Sequence, residues 1–208
     1  MVETHRVTWE QFAEGMTLQE YRAGMLQNRE LYEERYSNYA LRERDVALLR
    51  AITGGRELNV LVLTEDWCGD SLRYLPALER LAEAVGNWTV RVFYRDNYPD
   101  LADRWLKRGT MRAIPVIVFF DSDMCELAHF IEKPAAVYAA DAQARETFAR
   151  LYSNLPDAHL HNSEMSQETY DLYVEFMREY RAANLGRWQQ SFVDEVLGLL
   201  DGVECEAA

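Results

Sequence analysis

The residues with the clearest chemical potential are Trp67-Cys68-Gly69-Asp70-Ser71, set between an apolar run and a helical one. A cysteine in the first turn of a helix faces unpaired backbone N–H groups and the positive end of the helix dipole. Both favour thiolate over thiol, and the thiolate is the nucleophile in disulfide exchange. Cys68 is therefore the candidate nucleophile, with an exposed sulfur expected. Gly69 permits a tight turn and close backbone approach. Trp67 would shield one side of the sulfur and offer a partner an apolar surface. Ser71 lies one helical turn beyond Cys68. Its hydroxyl could donate a hydrogen bond to a thiolate but cannot form a disulfide. Asp70 suits a helix N-terminus, yet its charge repels a neighbouring thiolate.

A second cluster is Arg112-Ala113-Ile114-Pro115, directly before the apolar run 116–120. Arg112 could hold a carboxylate or raise the local positive potential; the plain alternative is a solvated surface charge. Arg95 and Asp96 fall at another strand end and are expected on the same rim. Glu65 and Asp66 read as a solvated acidic turn. Cys125 falls in a turn between strands, and Cys205 in a tail that could in principle reach Cys68 or another chain. Three cysteines, none close to another in sequence, argue against a disulfide framework. His159 and His161, without nearby cysteines, make a weak metal site, and no metal or resident cofactor is expected.

These groups must be positioned by the surrounding elements. Residues 8–53 carry apolar residues near helical spacing, divided around Gly15 and Ser37-Asn38 and ended by Gly54-Gly55. Residues 58–64 are a continuous apolar run, the pattern of a strand covered on both faces. A helix is expected over 70–85, with Leu72, Leu75, Leu78, Leu81 and Ala82 inward and a kink at Pro76. Strands follow at 88–94, 115–120 and 126–131; after the first of them, Asp96–Asp100 reads as a turn leading into a helix to about Arg108. A helix from Pro134 to Leu151, a polar linker over 153–164, and helical residues 166–200 broken near Asn184-Leu185-Gly186 complete the chain. The order is helices, then βαβαββα, then helices. The fold class is α/β, with domains expected at 1–55, 56–152 and 153–208.

The Trp-Cys-Gly turn followed by Ile-Pro before an apolar strand resembles the thioredoxin-like proteins. More narrowly, 64–70 with Arg95-Asp96 is similar to a bacterial thioredoxin family group that has helical flanks and one motif cysteine. The resemblance implies a thioredoxin-like fold with a mixed sheet, flanked by N-terminal and C-terminal helical extensions. It implies a cis Ile114–Pro115 bond that sets the Ile114 backbone beside Cys68, ready to pair with an extended partner or with glutathione. Trp67, Gly69, Asp70, Arg112, Ile114 and Pro115 would then bind substrate, with Cys68 and Ser71 at the reacting centre. Ser71 stands where the resolving cysteine would be, and three further departures matter. Val62 stands where thioredoxins carry a buried acid, Asp70 replaces the usual motif proline, and Ala113 replaces a glycine.

The resemblance implies a monothiol oxidoreductase in which Cys68 forms a mixed disulfide, resolved by glutathione or another low-molecular-weight thiol. The competing expectation is a redox-inactive module that binds a peptide or protein between Trp67 and Pro115. Iron–sulfur binding with glutathione is disfavoured by Asp70 and by the lack of a glycine-rich acidic segment after Glu132. The net charge of -13 disfavours phosphate backbones and anionic lipid surfaces, so no nucleic-acid or membrane partner is expected. The flanks could cap the sheet or form a homodimer interface. No signal-peptide pattern opens the sequence, and a cytoplasmic setting is expected.

Overall fold

The computed structural model describes residues 6–204. The expectations for the first five residues and for Cys205 lie outside the described residues. The chain divides into two units, Met1–Lys133 with Phe192–Ala208, and Pro134–Ser191.

The first unit is built on a four-stranded mixed sheet of order β2-β1-β3-β4. The strands are β1 (Leu58–Thr64), β2 (Trp88–Tyr94), β3 (Val116–Phe120) and β4 (Glu126–Ile131). β1 runs parallel to β2 and antiparallel to β3, and β4 is antiparallel to β3. Every residue of β1 and β3 is buried, which is why they read as unbroken apolar runs. Helix α5 (Gly69–Val85) makes the crossover that a parallel pair requires. It stays helical through Pro76 and buries Leu72, Leu75, Leu78, Leu81 and Ala82 as the spacing predicts.

The N-terminal flank is four short helices, not one divided segment. They are α1 (Trp9–Ala13), α2 (Leu18–Gly24), α3 (Arg29–Asn38) and α4 (Glu43–Ile52). The extra breaks have a local cause. Thr8 with Gln11, and Thr17 with Glu20, form two capping boxes that start α1 and α2. Between these helices Met16 pairs with Val92 on the outer edge of β2, its N–H reaching the Val92 carbonyl at 2.9 Å and its carbonyl accepting the Val92 N–H at 2.7 Å. Gly15 makes this approach possible. A Cβ there would lie 2.6 Å from the Phe93 ring and 2.8 Å from Arg91 Cβ.

α3 is tied to α5 by polar bonds under cover. The Tyr32 hydroxyl donates to Glu79 at 2.8 Å, and Arg22 stands 3.5 Å from the same carboxylate. Burial pushes the Glu79 carboxyl above the usual carboxylate range, against the lowering pull of Tyr32 and Arg22. The helix expected to follow the Asp96–Asp100 turn and run to about Arg108 starts earlier and is shorter. α6 (Pro99–Ala102) is one turn, followed by a tight loop in which Lys107 bridges Met111 and Arg108 takes a positive φ of 53°.

The second unit contains α7 (Ala135–Leu151), α8 (Gln167–Ala183) and the start of α9 (Leu185–Leu200). Phe148, wholly buried, packs its ring against Tyr152, Tyr173 and Phe176 at centroid distances of 4.6, 5.2 and 5.6 Å. The stretch read as a polar linker is fastened. Asp157 accepts from Ser166 N at 2.6 Å and Thr169 Oγ1 at 2.5 Å, which lowers its carboxyl to about 2. Arg145 donates to Asn162 and to the Leu160 carbonyl. His161 caps the short 3-10 turn Asn162–Glu164, accepting the Ser163 N–H.

Candidate functional site

The sheet register gathers the site. Thr64 ends β1 beside Tyr94, which ends β2, while Val116 opens β3 beside Leu63. The residues following β1, following β2 and preceding β3 therefore emerge at one end of the sheet. They are Glu65–Ser71, Arg95–Asn97 and Arg112–Pro115. The β3–β4 turn carrying Cys125 lies at the opposite end, since Phe120 pairs with Asn59. Cys125 is disulfide-bonded, which corrects the expectation of a chain without disulfides. Cys68 is a free cysteine.

Cys68 is the N-cap of α5: its carbonyl accepts the Leu72 N–H at 3.0 Å, and its side chain caps no helix N–H. Its sulfur instead donates to the Ile114 carbonyl at 3.5 Å. The Ile114–Pro115 peptide is cis, so the expected juxtaposition of Cys68 with the Ile114 backbone is present. The sulfur is not exposed as expected, because Cys68 is only 7% accessible. Trp67 beside it is 47% accessible, with the Arg95 guanidinium 5.3 Å from its ring centroid. Ser71 is buried, and its hydroxyl has no hydrogen-bond partner among the described residues. The hydrogen bond it could give Cys68 is not formed while the thiol faces Ile114. Asp70 pairs with Arg73 on the next turn, whose guanidinium also lies beside Gly69.

Arg112 does hold a carboxylate, but one of its own chain. It makes a two-pronged pair with Asp103 at 2.6 Å through both nitrogens, which holds the Asp103 carboxyl below its usual range. Its backbone carbonyl accepts from Arg95 at 3.1 Å. Arg95 thus links the Trp67 face to the loop before Pro115. Val62 is wholly buried between Val92 and Ile117, with no acid in its place.

Glu65 and Asp66 are not a solvated turn. Each is 7% accessible. Glu65 accepts the Asp96 N–H at 2.9 Å, and burial raises its carboxyl above the usual range despite that bond. Asp66 accepts the N–H groups of Leu26 and Gln27, and Asn28 donates to its carbonyl. Tyr21, from α2, is wholly buried against Tyr32 and Tyr94 on the same side. Sequence reading missed these neighbours, because a backbone N–H leaves no trace in residue type.

The sheet order, the crossover helix and the free cysteine facing a cis-proline loop define a thioredoxin-like α/β protein. A sequence model described as Thioredoxin matches residues 15–145, and the chain belongs to that family. A crystal structure of a protein of unknown function from Pseudomonas aeruginosa superposes with TM-score 0.64 at 18% identity, over 93% of this chain and 96% of that one. An HIV epitope-scaffold structure superposes with TM-score 0.58, also at 18% identity, over 92% and 95%. No curated protein matches the chain. Among the described residues no helix is long and apolar enough to cross a membrane.

Proposed function

We propose that the chain is a monothiol thiol–disulfide oxidoreductase acting through Cys68. The observation that carries this reading is the free Cys68 thiol at the head of α5, in contact with the Ile114 carbonyl at the cis peptide. The Cys68 thiolate attacks one sulfur of a substrate disulfide. A Cys68–substrate disulfide forms, and the other sulfur leaves as a thiolate. Glutathione or another low-molecular-weight thiol then attacks the substrate-side sulfur, which leaves bonded to that thiol as Cys68 returns to thiolate. Ser71 cannot supply the second step, so the resolving thiol is external. Its buried, unpartnered hydroxyl is a donor awaiting an acceptor, which a rotated Cys68 thiolate provides.

Trp67, Gly69 and Asp70 on one side, and Ile114 and Pro115 on the other, border the sulfur and would seat an extended partner. Arg112 acts at one remove, through its carbonyl and its hold on Asp103. The partners are protein disulfides and small thiols, not nucleic acid or membrane. The reading places the chain in the cytoplasm, where small thiols are abundant. A reducing cytoplasm would also open the disulfide at Cys125, so the state of that bond in cell extracts tests the compartment.

The test is reaction with glutathione disulfide, followed by intact mass and peptide mapping. A glutathione adduct on Cys68, removed by excess glutathione, is the expected result. No adduct on the folded protein would overturn the reading. The low accessibility of Cys68 favours a second one, a redox-inactive module that binds a peptide or protein. Under that alternative, Cys68→Ser retains partner binding and biological activity.

A further inference from the structure

Asp66 is where the N-terminal flank meets the strand end that carries Cys68. One carboxylate oxygen, Oδ2, accepts the Leu26 N–H at 2.8 Å and the Gln27 N–H at 3.0 Å. The Asp66 backbone carbonyl accepts from Asn28 Nδ2 at 3.0 Å. A single residue thus fastens three consecutive residues of the loop between α2 and α3. Asn28 sits at a φ of 58°, in the left-handed region that asparagine tolerates better than most residues. Asp66 is buried, so water competes little for its oxygens.

The fastening is directed at the reactive turn. Trp67 and Cys68 follow immediately, and the Cys68 N–H closes the turn on the Glu65 carbonyl at 3.1 Å. On the other side Glu65 holds the Asp96 N–H. The loop gains little from apolar packing at its tip, since Leu26 is 93% accessible. Met25 at the start of the loop is buried, and beyond it the bonds to Asp66 hold Leu26, Gln27 and Asn28. We infer that Asp66 is a positioning residue through which the N-terminal flank holds the Trp67–Cys68 turn, and so sets the Cys68 sulfur against the Ile114 carbonyl. Asp66 acts through the turn and touches no reacting atom. The functional meaning rests on the thiol-exchange reading; the fastening itself does not.

Three variants of the full chain test it. Asp66→Ala removes both carboxylate bonds. Asp66→Asn keeps an oxygen able to accept both N–H groups and removes the charge. Asn28→Gly removes the third bond while tolerating the positive φ. Two readouts are taken on each, amide hydrogen exchange by mass spectrometry and the rate of Cys68 alkylation by iodoacetamide at pH 7. In Asp66→Ala, exchange rises about tenfold or more in the peptides spanning 25–28 and 65–69, but not in β1 or β3. The Cys68 alkylation rate changes in the same variant, and Asp66→Asn restores both readouts to within about threefold of the parent. Asn28→Gly gives a smaller rise confined to the same peptides, and it decides the matter if Asp66→Ala does not fold. Unchanged exchange at 25–28 and 65–69, or a rise spread evenly over the molecule, overturns the inference. A parent protein whose Cys68 forms no glutathione adduct defeats the thiol-exchange reading, while the exchange data still decide the fastening.

Discussion

The helical segments that precede and follow the sheet strands in the chain differ in how they are held. The flank before β1 shares its bonds with the sheet, with α5 and with the site: Met16 pairs with Val92, Tyr32 with Glu79, and the loop after α2 with Asp66. Within the segment from Pro134 to Ser191, the Phe148 ring cluster and the Asp157 and Arg145 bonds join its helices and loops to one another. Both read as helical additions in the sequence. The first supplies groups that hold the residues around Cys68, among them the Leu26 and Gln27 N–H groups on Asp66. An added segment belongs to a site when it spends its hydrogen bonds there, whatever its distance along the chain.

Substitutions in the two regions should separate them. Phe148→Ala empties the centre of the second unit and should cost about 3–5 kcal/mol. The loss should appear as faster amide exchange in the peptides around Phe148, Tyr152, Tyr173 and Phe176, and unchanged exchange there would remove the ring cluster as the centre of that unit. Gly15→Val drives a side chain into the Phe93 ring and should cost about 1–3 kcal/mol in chemical denaturation. Its exchange signature should centre on 12–18 and on β2. Tyr32→Phe leaves the buried Glu79 with Arg22 alone, at a cost of about 1–3 kcal/mol. An effect below a few tenths of a kcal/mol would remove Tyr32–Glu79 from the bonds that hold the flank.

The pH dependence of the flank has a defined sign. Burial raises the Glu79 carboxyl above 4.5, so the folded chain binds that proton more tightly than the unfolded chain. The resulting stabilisation is full below pH 4.5 and is lost as pH rises through the raised value. Glu79→Gln should flatten that part of the profile, measured as the difference in midpoint between pH 4.5 and pH 7. The smallest effect on stability is expected at Ser71. Removing an unpartnered buried hydroxyl should leave the midpoint unchanged or slightly higher. Ser71→Ala should nevertheless slow mixed-disulfide formation at Cys68 by about two- to tenfold; an unchanged rate would take Ser71 out of the proposed chemistry.

Much of the sheet was legible: β1 and β3, buried throughout, show as nearly continuous apolar sequence, and the partly exposed β2 and β4 as short runs bounded by turns. β1, β2 and β4 fall where the runs 58–64, 88–94 and 126–131 place them. The juxtaposition of Cys68 with Ile114 was legible only through the family resemblance, since nothing in the spacing of two loops sets their distance. The four N-terminal helices were partly legible. Thr8-x-x-Gln11 and Thr17-x-x-Glu20 are start signals that periodicity alone overlooks. The burial of Glu65 and Asp66 was illegible. Two adjacent carboxylates look solvated until the backbone N–H groups of Asp96, Leu26 and Gln27 are found beside them. α6 was read too long because Trp105, at helical spacing from Leu101, is buried in a tight loop rather than on a helix face.

The Asp66 contact also bears on the order of events during synthesis. Leu26 leaves the ribosome about 40 residues before the carboxylate that holds it, and Met16 must wait longer still for Val92. At elongation rates of roughly 5–20 residues per second, the first helices spend seconds without the strand ends they dock on. α1 and α2 carry their own capping boxes and are short, so the nascent flank has local start signals but no apolar partner. Cys68 can take its final place only after β2 and the loop before Pro115 have emerged, so the reactive turn does not mature when its own residues are made.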